Sequence, residues 1–169
     1  MGFGAGALIA NLLRRTVVIL FGFIVAASAG ALFLPLAALF DPIVRAVGFD
    51  TAASGLFAAL DDEGDPTAGV AALGFVFWSI LIAVCALPLA VAALIGEIAG
   101  ARKWVWYVGV SGFLAAASPW IARATRGLAQ AHRASPLELR IAALFFLTGA
   151  VTGWIYWLIA KPGRHEARR

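Results

Sequence analysis

The chain is poor in the residues that build most chemical sites. Its 169 residues include one cysteine, two histidines and nine carboxylates. Cys85 has no partner for an internal disulfide, and His132 and His165 lack neighbours at a metal-binding spacing. No serine is accompanied by a histidine and an acid in a pattern typical of hydrolases. We therefore predict no catalytic residues, no cofactor-binding residues and no metal ligands.

Charge is the second shortage. Charged residues make up 13% of the chain and hydrophobic residues 63%, against about 25% and 45–50% in soluble domains. The apolar residues form long runs, which excludes an ordinary water-soluble fold. The net charge of +4 comes from basic residues at the ends of these runs, a placement that suits membrane topology and lipid headgroups better than nucleic acid. The predicted partner is therefore the lipid bilayer, and no nucleic acid is expected.

The apolar runs predict an all-α protein, an integral membrane bundle of four transmembrane helices in a single domain, 1–169. About 20 apolar residues cross a hydrocarbon core of about 30 Å. Four segments meet this length: 16–40, 68–95, 104–121 and 141–160. The first resembles a signal peptide around Ala27-Ser28-Ala29. Its apolar run continues to Phe40, however, beyond the roughly 7–15 residues of a signal sequence, so we expect an uncleaved helix.

The distribution of lysine and arginine predicts the orientation. The N-terminal tail, the 96–103 loop and the C-terminal tail carry eight such residues, and the opposite side carries five. Because cytoplasmic loops are enriched in basic residues, both termini are expected in the cytoplasm, with the protein in a bacterial inner membrane.

The two loops on the outer side, 41–67 and 122–140, have opposite charge. The first carries six carboxylates against one arginine, and the second carries four arginines against one glutamate. One hypothesis is that they attract each other and form a cap, in which Arg123 and Arg126 contact the acidic loop. The alternative is two solvated loops, since an exposed ion pair contributes only about 0–1 kcal/mol.

Local signals predict where helices begin in these loops. Asp41-Pro42 is typical of a helix start, and short amphipathic helices are expected after it and at about 52–60. Ser135-Pro136-Leu137-Glu138 is a capping box, which predicts that the fourth helix begins near Pro136. Ser118-Pro119 predicts either a kink in the third helix or the start of a separate segment.

Four residues within or beside the spans are candidate functional positions. Glu97 lies at the inner end of the second span, where pairing with Arg102 or Lys103 is expected and a proton or cation site is the alternative. Pro88 predicts a kink. Gly149 and Gly153 form a G-x-x-x-G pattern that favours close helix packing, within the chain or between copies.

The segment Gly149–Ala160, with Leu94-Ile95-Gly96-Glu97, resembles small four-helix inner-membrane proteins of Gram-negative bacteria. The likeness implies a four-helix membrane fold. It carries no assigned activity, so no functional residue follows from it.

Three functions remain open at this point. The first is an accessory or structural subunit that binds a larger membrane complex or a second copy of itself. It is favoured because the spans contain no charged site near their middle. The second is a small oligomeric transporter or channel that uses Glu97, Pro88 and the glycine faces. The third is a membrane enzyme acting on lipid, with the outer arginines holding a phosphate headgroup.

Overall fold

The computed structural model describes residues 3–61, 66–125 and 135–160. These residues are helical apart from short turns, and no strand occurs among them. In chain order the elements are α1 (Phe3–Phe40), α2 (Pro42–Asp61), α3 (Pro66–Leu81), a π-helical turn (Ile82–Ala86), α4 (Leu87–Ile98), α5 (Trp104–Thr125) and α6 (Pro136–Ala160). The π turn joins α3 to α4, so the two form one continuous helical rod.

Four helical rods in the described part of the chain are long and apolar enough to cross a membrane: Leu8–Phe40, Gly69–Ile98, Trp104–Ala124 and Pro136–Ala160. They coincide with the four predicted apolar runs, and the all-helical prediction is confirmed. The 25 residues of α6 rise about 38 Å, more than the roughly 30 Å of a hydrocarbon core.

Side-chain contacts fix the direction of the helices. Gly22 of α1 lies beside Ile159 of α6, Gly30 lies beside Thr152, and Asp41 accepts a hydrogen bond from Arg140. The two helices are therefore antiparallel. We call the end of the bundle that holds Arg15, Glu97 and Ala160 the termini end, and the end that holds Asp41, Arg123 and Arg140 the loop end.

The core has two parts along the bundle axis. Toward the termini end, Tyr107 and Tyr156 are buried with three smaller side chains: Ala26, Leu89 and Ala93. Toward the loop end, the buried cluster contains Leu34, Leu81, Val84, Cys85, Ala115 and Leu144. Both parts join α1, the second rod, α5 and α6, which makes these the four helices of the bundle.

The first half of the second rod leaves this bundle. Among the described helices, α3 packs mainly against α2 and continues into the π turn, and its other helix contacts are slight. By contrast α5 and α6 pack along much of their length, as do α1 and α6. We call α2 and α3 together, Pro42–Leu81, the α2–α3 arm.

Two predictions for the loop regions are corrected. One continuous helix, α2, replaces the two short segments expected after Asp41 and at 52–60. The α5 helix continues through Pro119 to Thr125 without a break, so no separate segment begins there. Pro119 cannot donate to the carbonyl of Ala115 four residues earlier, and the Ser118 hydroxyl donates to that carbonyl instead, at 2.8 Å.

Candidate functional site

An ion pair joins α1 to α4 at the termini end. The Arg15 guanidinium donates to the Glu97 carboxylate, and the Glu97 side chain is only 19% exposed. The sequence indicated Arg102 or Lys103, but the partner that the structure shows is 82 positions away on α1. The prediction missed it because only the antiparallel packing of α1 against α4 brings the two charges together.

Two buried tyrosines lie next to this ion pair. The ring centroids of Tyr107 and Tyr156 are 5.5 Å apart, and neither side chain is exposed. The Tyr107 hydroxyl donates to the carbonyl of Ala101 at 3.1 Å, whereas the buried Tyr156 hydroxyl has no partner among the described residues. Tyrosines near the ends of apolar runs are typical of the membrane interface, but these two lie in the core of the bundle. A signal for Tyr107 existed in Gly96, where an added Cβ would lie 2.8 Å from the Tyr107 hydroxyl oxygen.

The two glycines of the G-x-x-x-G pattern lie against α5. A Cβ added at Gly149 would come within 2.8 Å of the Cβ of Ala115, and a Cβ added at Gly153 would collide with the Tyr107 carbonyl and the Ser111 hydroxyl. Close approach of the two backbones therefore requires glycine at both positions. The pattern thus serves packing within the chain, the first of the two uses it predicted.

The fully buried serine and threonine hydroxyls between the helices are bonded to their own helices. Ser111 donates to the carbonyl of Tyr107, Thr148 donates to Leu144 at 2.9 Å, and Thr152 donates to Thr148 at 2.6 Å. Such bonds satisfy a hydroxyl without an interhelical partner. These side chains do not form a connected polar path along the bundle.

Pro88 lies at the start of α4, directly after the π turn. The N–H of Leu87 donates to the carbonyl of Ile82, five residues earlier, which defines the π turn. Pro88 has no N–H for the next bond of the ladder, and its ring crowds the carbonyl four residues before it. The extra residue of the π turn accommodates both. The sequence predicted a kink at Pro88. What the structure shows before it is a π turn, in which Val84 and Cys85 are buried.

Two ion pairs lie at the loop end among the described residues. Arg123 donates to Glu138 at 2.7 Å, within the second outer loop, and Arg140 donates to Asp41 at 3.2 Å, between the two loops. The expected contact of Arg123 with the acidic loop stays a prediction, because residues 62–65 of that loop lie outside the described residues. Attraction between the loops is present through Arg140. Arg126 lies outside the described residues.

Both predicted helix caps at this end are confirmed. The Ser135 hydroxyl accepts from the N–H of Glu138 at 3.2 Å, and the Glu138 carboxylate accepts from the N–H of Ser135 at 3.0 Å. The Asp41 carboxylate accepts from the N–H groups of Ile43 and Val44. The bond from Val44 is the main cause that holds the pKa of Asp41 below its usual value, with further lowering from Ile43 and Arg140.

An apolar pocket lies between the α2–α3 arm and the bundle. Its volume is about 530 Å³, and it is lined by residues of α1, α2, α3 and α6, among them Leu34, Val47, Phe77 and Phe145. It exists because α3 diverges from the bundle before the π turn. No pattern in the sequence indicated the pocket, since the runs that form its walls are indistinguishable from other lipid-facing runs.

Within the described ranges no group of three or more histidine, cysteine or acidic residues could hold a metal ion. The arrangement offers fixed ion pairs at both ends of the bundle, a tightly packed seam of glycines, and an arm that encloses an apolar pocket. Comparison with protein-family models, with curated proteins and with solved structures finds no match to the chain.

Proposed function

We propose that the chain is a four-span protein of a bacterial inner membrane, with both termini cytoplasmic, and that it serves as an accessory subunit. In this proposal the α2–α3 arm binds another membrane protein. The observation that carries it is the divergence of α3 from the bundle, which leaves half of one apolar rod packed mainly against α2 and with few contacts to α1, α5 and α6.

The physical reason lies in how helices associate in lipid. Association there depends on van der Waals packing and interhelical hydrogen bonds, because lipid tails are as apolar as the side chains. The outward side of α3 presents large side chains for such packing, with Phe75 72% exposed and Val70 58% exposed. A partner helix packed along α3 would supply the contacts that the chain itself does not.

The transporter alternative has less support. Moving a charged substrate normally requires a charged or strongly polar site near the membrane midplane. Glu97 lies at the termini end in an ion pair with Arg15, and the buried serine and threonine hydroxyls are bonded to their own helices. Both observations favour a structural role for these groups.

The lipid-enzyme alternative also has less support. It needs a nucleophile or a base beside the outer arginines. Arg123 is paired with Glu138, and the nearby Ser135 hydroxyl accepts the N–H bond of the capping box. These groups maintain the start of α6.

Photocrosslinking in native membranes tests the accessory function. Benzoylphenylalanine would replace Phe75 on the arm or, as a matched control, Phe113 on α5, which is 69% exposed. We expect a discrete protein adduct from position 75 and none from position 113. The adduct should also persist when the protein is present at its natural level.

A second variant establishes that the contact is specific. With the crosslinker at Phe75, the substitution Trp78→Ala one turn away on α3 should weaken the adduct, because Trp78 is 61% exposed and lies on the same helix face. Only lipid adducts at position 75, or the same protein adduct from positions 75 and 113, would rule out binding through the arm.

A further inference from the structure

The pocket between the arm and the bundle has the size of a slender ligand. Its volume is about 530 Å³, within the roughly 300–1,000 Å³ of small-molecule pockets. One turn of a helix, about 5.4 Å long and 10 Å across, already fills about 420 Å³. A membrane-spanning helix of a second copy or of another protein therefore does not fit inside it.

The lining selects an apolar occupant. Nearly all of the surface inside the pocket is apolar. Thr51 contributes a hydroxyl to the wall. This hydroxyl donates to the carbonyl of Val47 at 2.7 Å, so its donor is already satisfied. A methylene group takes up about as much space as a water molecule, roughly 30 Å³, so the pocket has room for about seventeen methylenes. That is the length of one membrane-lipid acyl chain.

Arg140, which is not itself among the pocket-lining residues, neighbours two of them at the loop end of α6. Leu137 and Ile141 line the wall formed by α6, and Arg140 stands between them in the sequence. Its side chain is 51% exposed, and it makes one hydrogen bond to Asp41 among the described residues. A guanidinium has five N–H donors in a planar fork that matches a phosphate, so Arg140 has donors left for a headgroup.

We propose that this pocket binds one acyl chain of an anionic phospholipid, with the lipid phosphate held beside Arg140. The chain would fill the space that α3 opens when it diverges from the bundle, and it would support the arm from its inner side. The proposal concerns the inner side of the arm and does not depend on a protein partner at Phe75.

Two glycines allow a matched test. A Cβ added at Gly48 or at Gly74 would meet no atom within 4 Å, so both positions accept a larger side chain. Gly48 lines the pocket, whereas Gly74 does not. The variants Gly48→Phe and Gly74→Phe are therefore expected to fold alike and to differ in whether the pocket is filled.

The probe is a phosphatidylglycerol with a diazirine in the middle of one acyl chain, in phosphatidylethanolamine vesicles that contain the purified protein. After illumination, we expect labelled peptides from pocket-lining segments, around Leu34 on α1 and Leu144 on α6. Labelling should persist in Gly74→Phe and fall to the background of outward-facing residues in Gly48→Phe. Equal labelling of these peptides in the two variants would overturn the proposal.

The headgroup and the competing occupant are tested separately. Arg140→Gln should weaken the preference for phosphatidylglycerol over an uncharged-headgroup diacylglycerol probe by about tenfold, the effect of losing one charge-assisted hydrogen bond. An unchanged preference would show that Arg140 does not bind the lipid phosphate. Benzoylphenylalanine at Gly48 should form lipid adducts, and a crosslink to a second copy would show that protein occupies the pocket instead.

Discussion

At the scale of single residues, the closest packing in the molecule depends on two glycines. Gly149 and Gly153 face the backbone of α5 at Ser111 and Tyr107, and the same surface of α6 carries the buried Thr148 and Thr152. Because neither glycine leaves room for a methyl group, α5 and α6 come together only when both Cβ atoms are absent.

Gly149→Ala is expected to destabilise the bundle. The new methyl group would lie 2.8 Å from the Cβ of Ala115, and overpacking of this kind costs about 1–3 kcal/mol. Thermal unfolding in mild detergent measures the loss. The matched control is Gly109→Ala on α5, where an added Cβ meets nothing within 4 Å. Equal unfolding temperatures for the two variants would show that α5 and α6 do not pack at Gly149.

The Arg15–Glu97 ion pair should show coupling between its two members. Glu97→Gln and Arg15→Gln each leave one charge without its partner, so each is expected to lower stability. The double variant removes both charges and should be more stable than the sum of the single effects predicts, with an interaction energy of about 0.5–3 kcal/mol. Additive effects would mean that the two side chains are not paired in the folded protein.

Residue-scale predictability depended on sequence separation. Ser135 and Glu138 were assigned as a cap because both partners lie within one turn of the same helix. The partner of Glu97 could not be identified in this way, since Arg15 is on another helix. The Tyr107–Tyr156 pair was not predicted for the same reason, because the two residues lie on different helices. The small side chain of Gly96 is a local indication of Tyr107.

At the scale of elements, the second rod is the unusual one. It consists of two α-helices joined by a five-residue π turn, and the two halves have different surroundings. The α4 half packs against α5 and the α3 half packs against α2. Pro88 explains where the helix geometry and the surroundings of the rod change. The length and apolarity of the run predicted only that a helical rod exists.

Pro88→Ala should partly regularise the π turn. Alanine restores the missing N–H and removes the ring, which takes away the reason for the extra residue. Loss of one residue from the turn would rotate α3 by about 100° relative to α4. Spin labels at Phe75 on α3 and Phe113 on α5, in a Cys85→Ala background, would report this as a changed distance distribution.

The same labels in Pro88→Gly provide the control for that experiment. Glycine also restores the N–H but adds flexibility, so it should broaden the distribution rather than shift it to a new maximum. An unchanged distance in Pro88→Ala would mean that the contacts of α3 with α2, and not Pro88, hold the π turn in place.

The cap of α2 should make stability depend on acid. The N–H of Val44 chiefly lowers the pKa of Asp41, helped by the N–H of Ile43 and by Arg140. A carboxylate with a lowered folded-state pKa contributes stability that is full above its unfolded pKa, about 3.9. That contribution is lost as the pH falls through the folded value.

Asp41→Asn tests the origin of this acid dependence. Asparagine keeps a capping oxygen but has no charge to titrate. The free energies of unfolding of the two proteins, measured from pH 7 down to pH 3, should therefore differ at neutral pH, with the wild type more stable. The difference should shrink as the pH falls below about 4. A constant difference over the whole range would show that the Asp41 carboxylate is not stabilised in the folded state.

At the scale of the whole molecule, the ion pairs lie at the two ends of the bundle. Asp41 directly follows α1, and Arg15 lies 26 residues earlier in the sequence. The two are therefore separated by about 39 Å of helix. This is enough to place both pairs outside a hydrocarbon core of about 30 Å. The bundle therefore consists of apolar helices between two charged ends, with an arm that diverges at the loop end.

The whole-molecule features differ in how far the sequence predicted them. The four apolar runs were readable because length and lack of charge act locally. The arm and its pocket were not, since they arise from how one rod packs against three others. The runs that form α3 and α4 look alike in composition, yet only α4 enters the bundle.

Accessibility of single cysteines to a membrane-impermeant maleimide tests most directly whether the bundle crosses the membrane with its two ends on opposite sides. In a Cys85→Ala background, cysteines would replace Asn11 and Lys103 at the termini end and Asp50 and Ser135 at the loop end. We predict that intact cells with a permeabilised outer membrane label positions 50 and 135, and that positions 11 and 103 react only after the inner membrane is opened. Labelling of positions from both ends in intact cells would contradict the four-span account, and the reverse pattern would contradict the orientation.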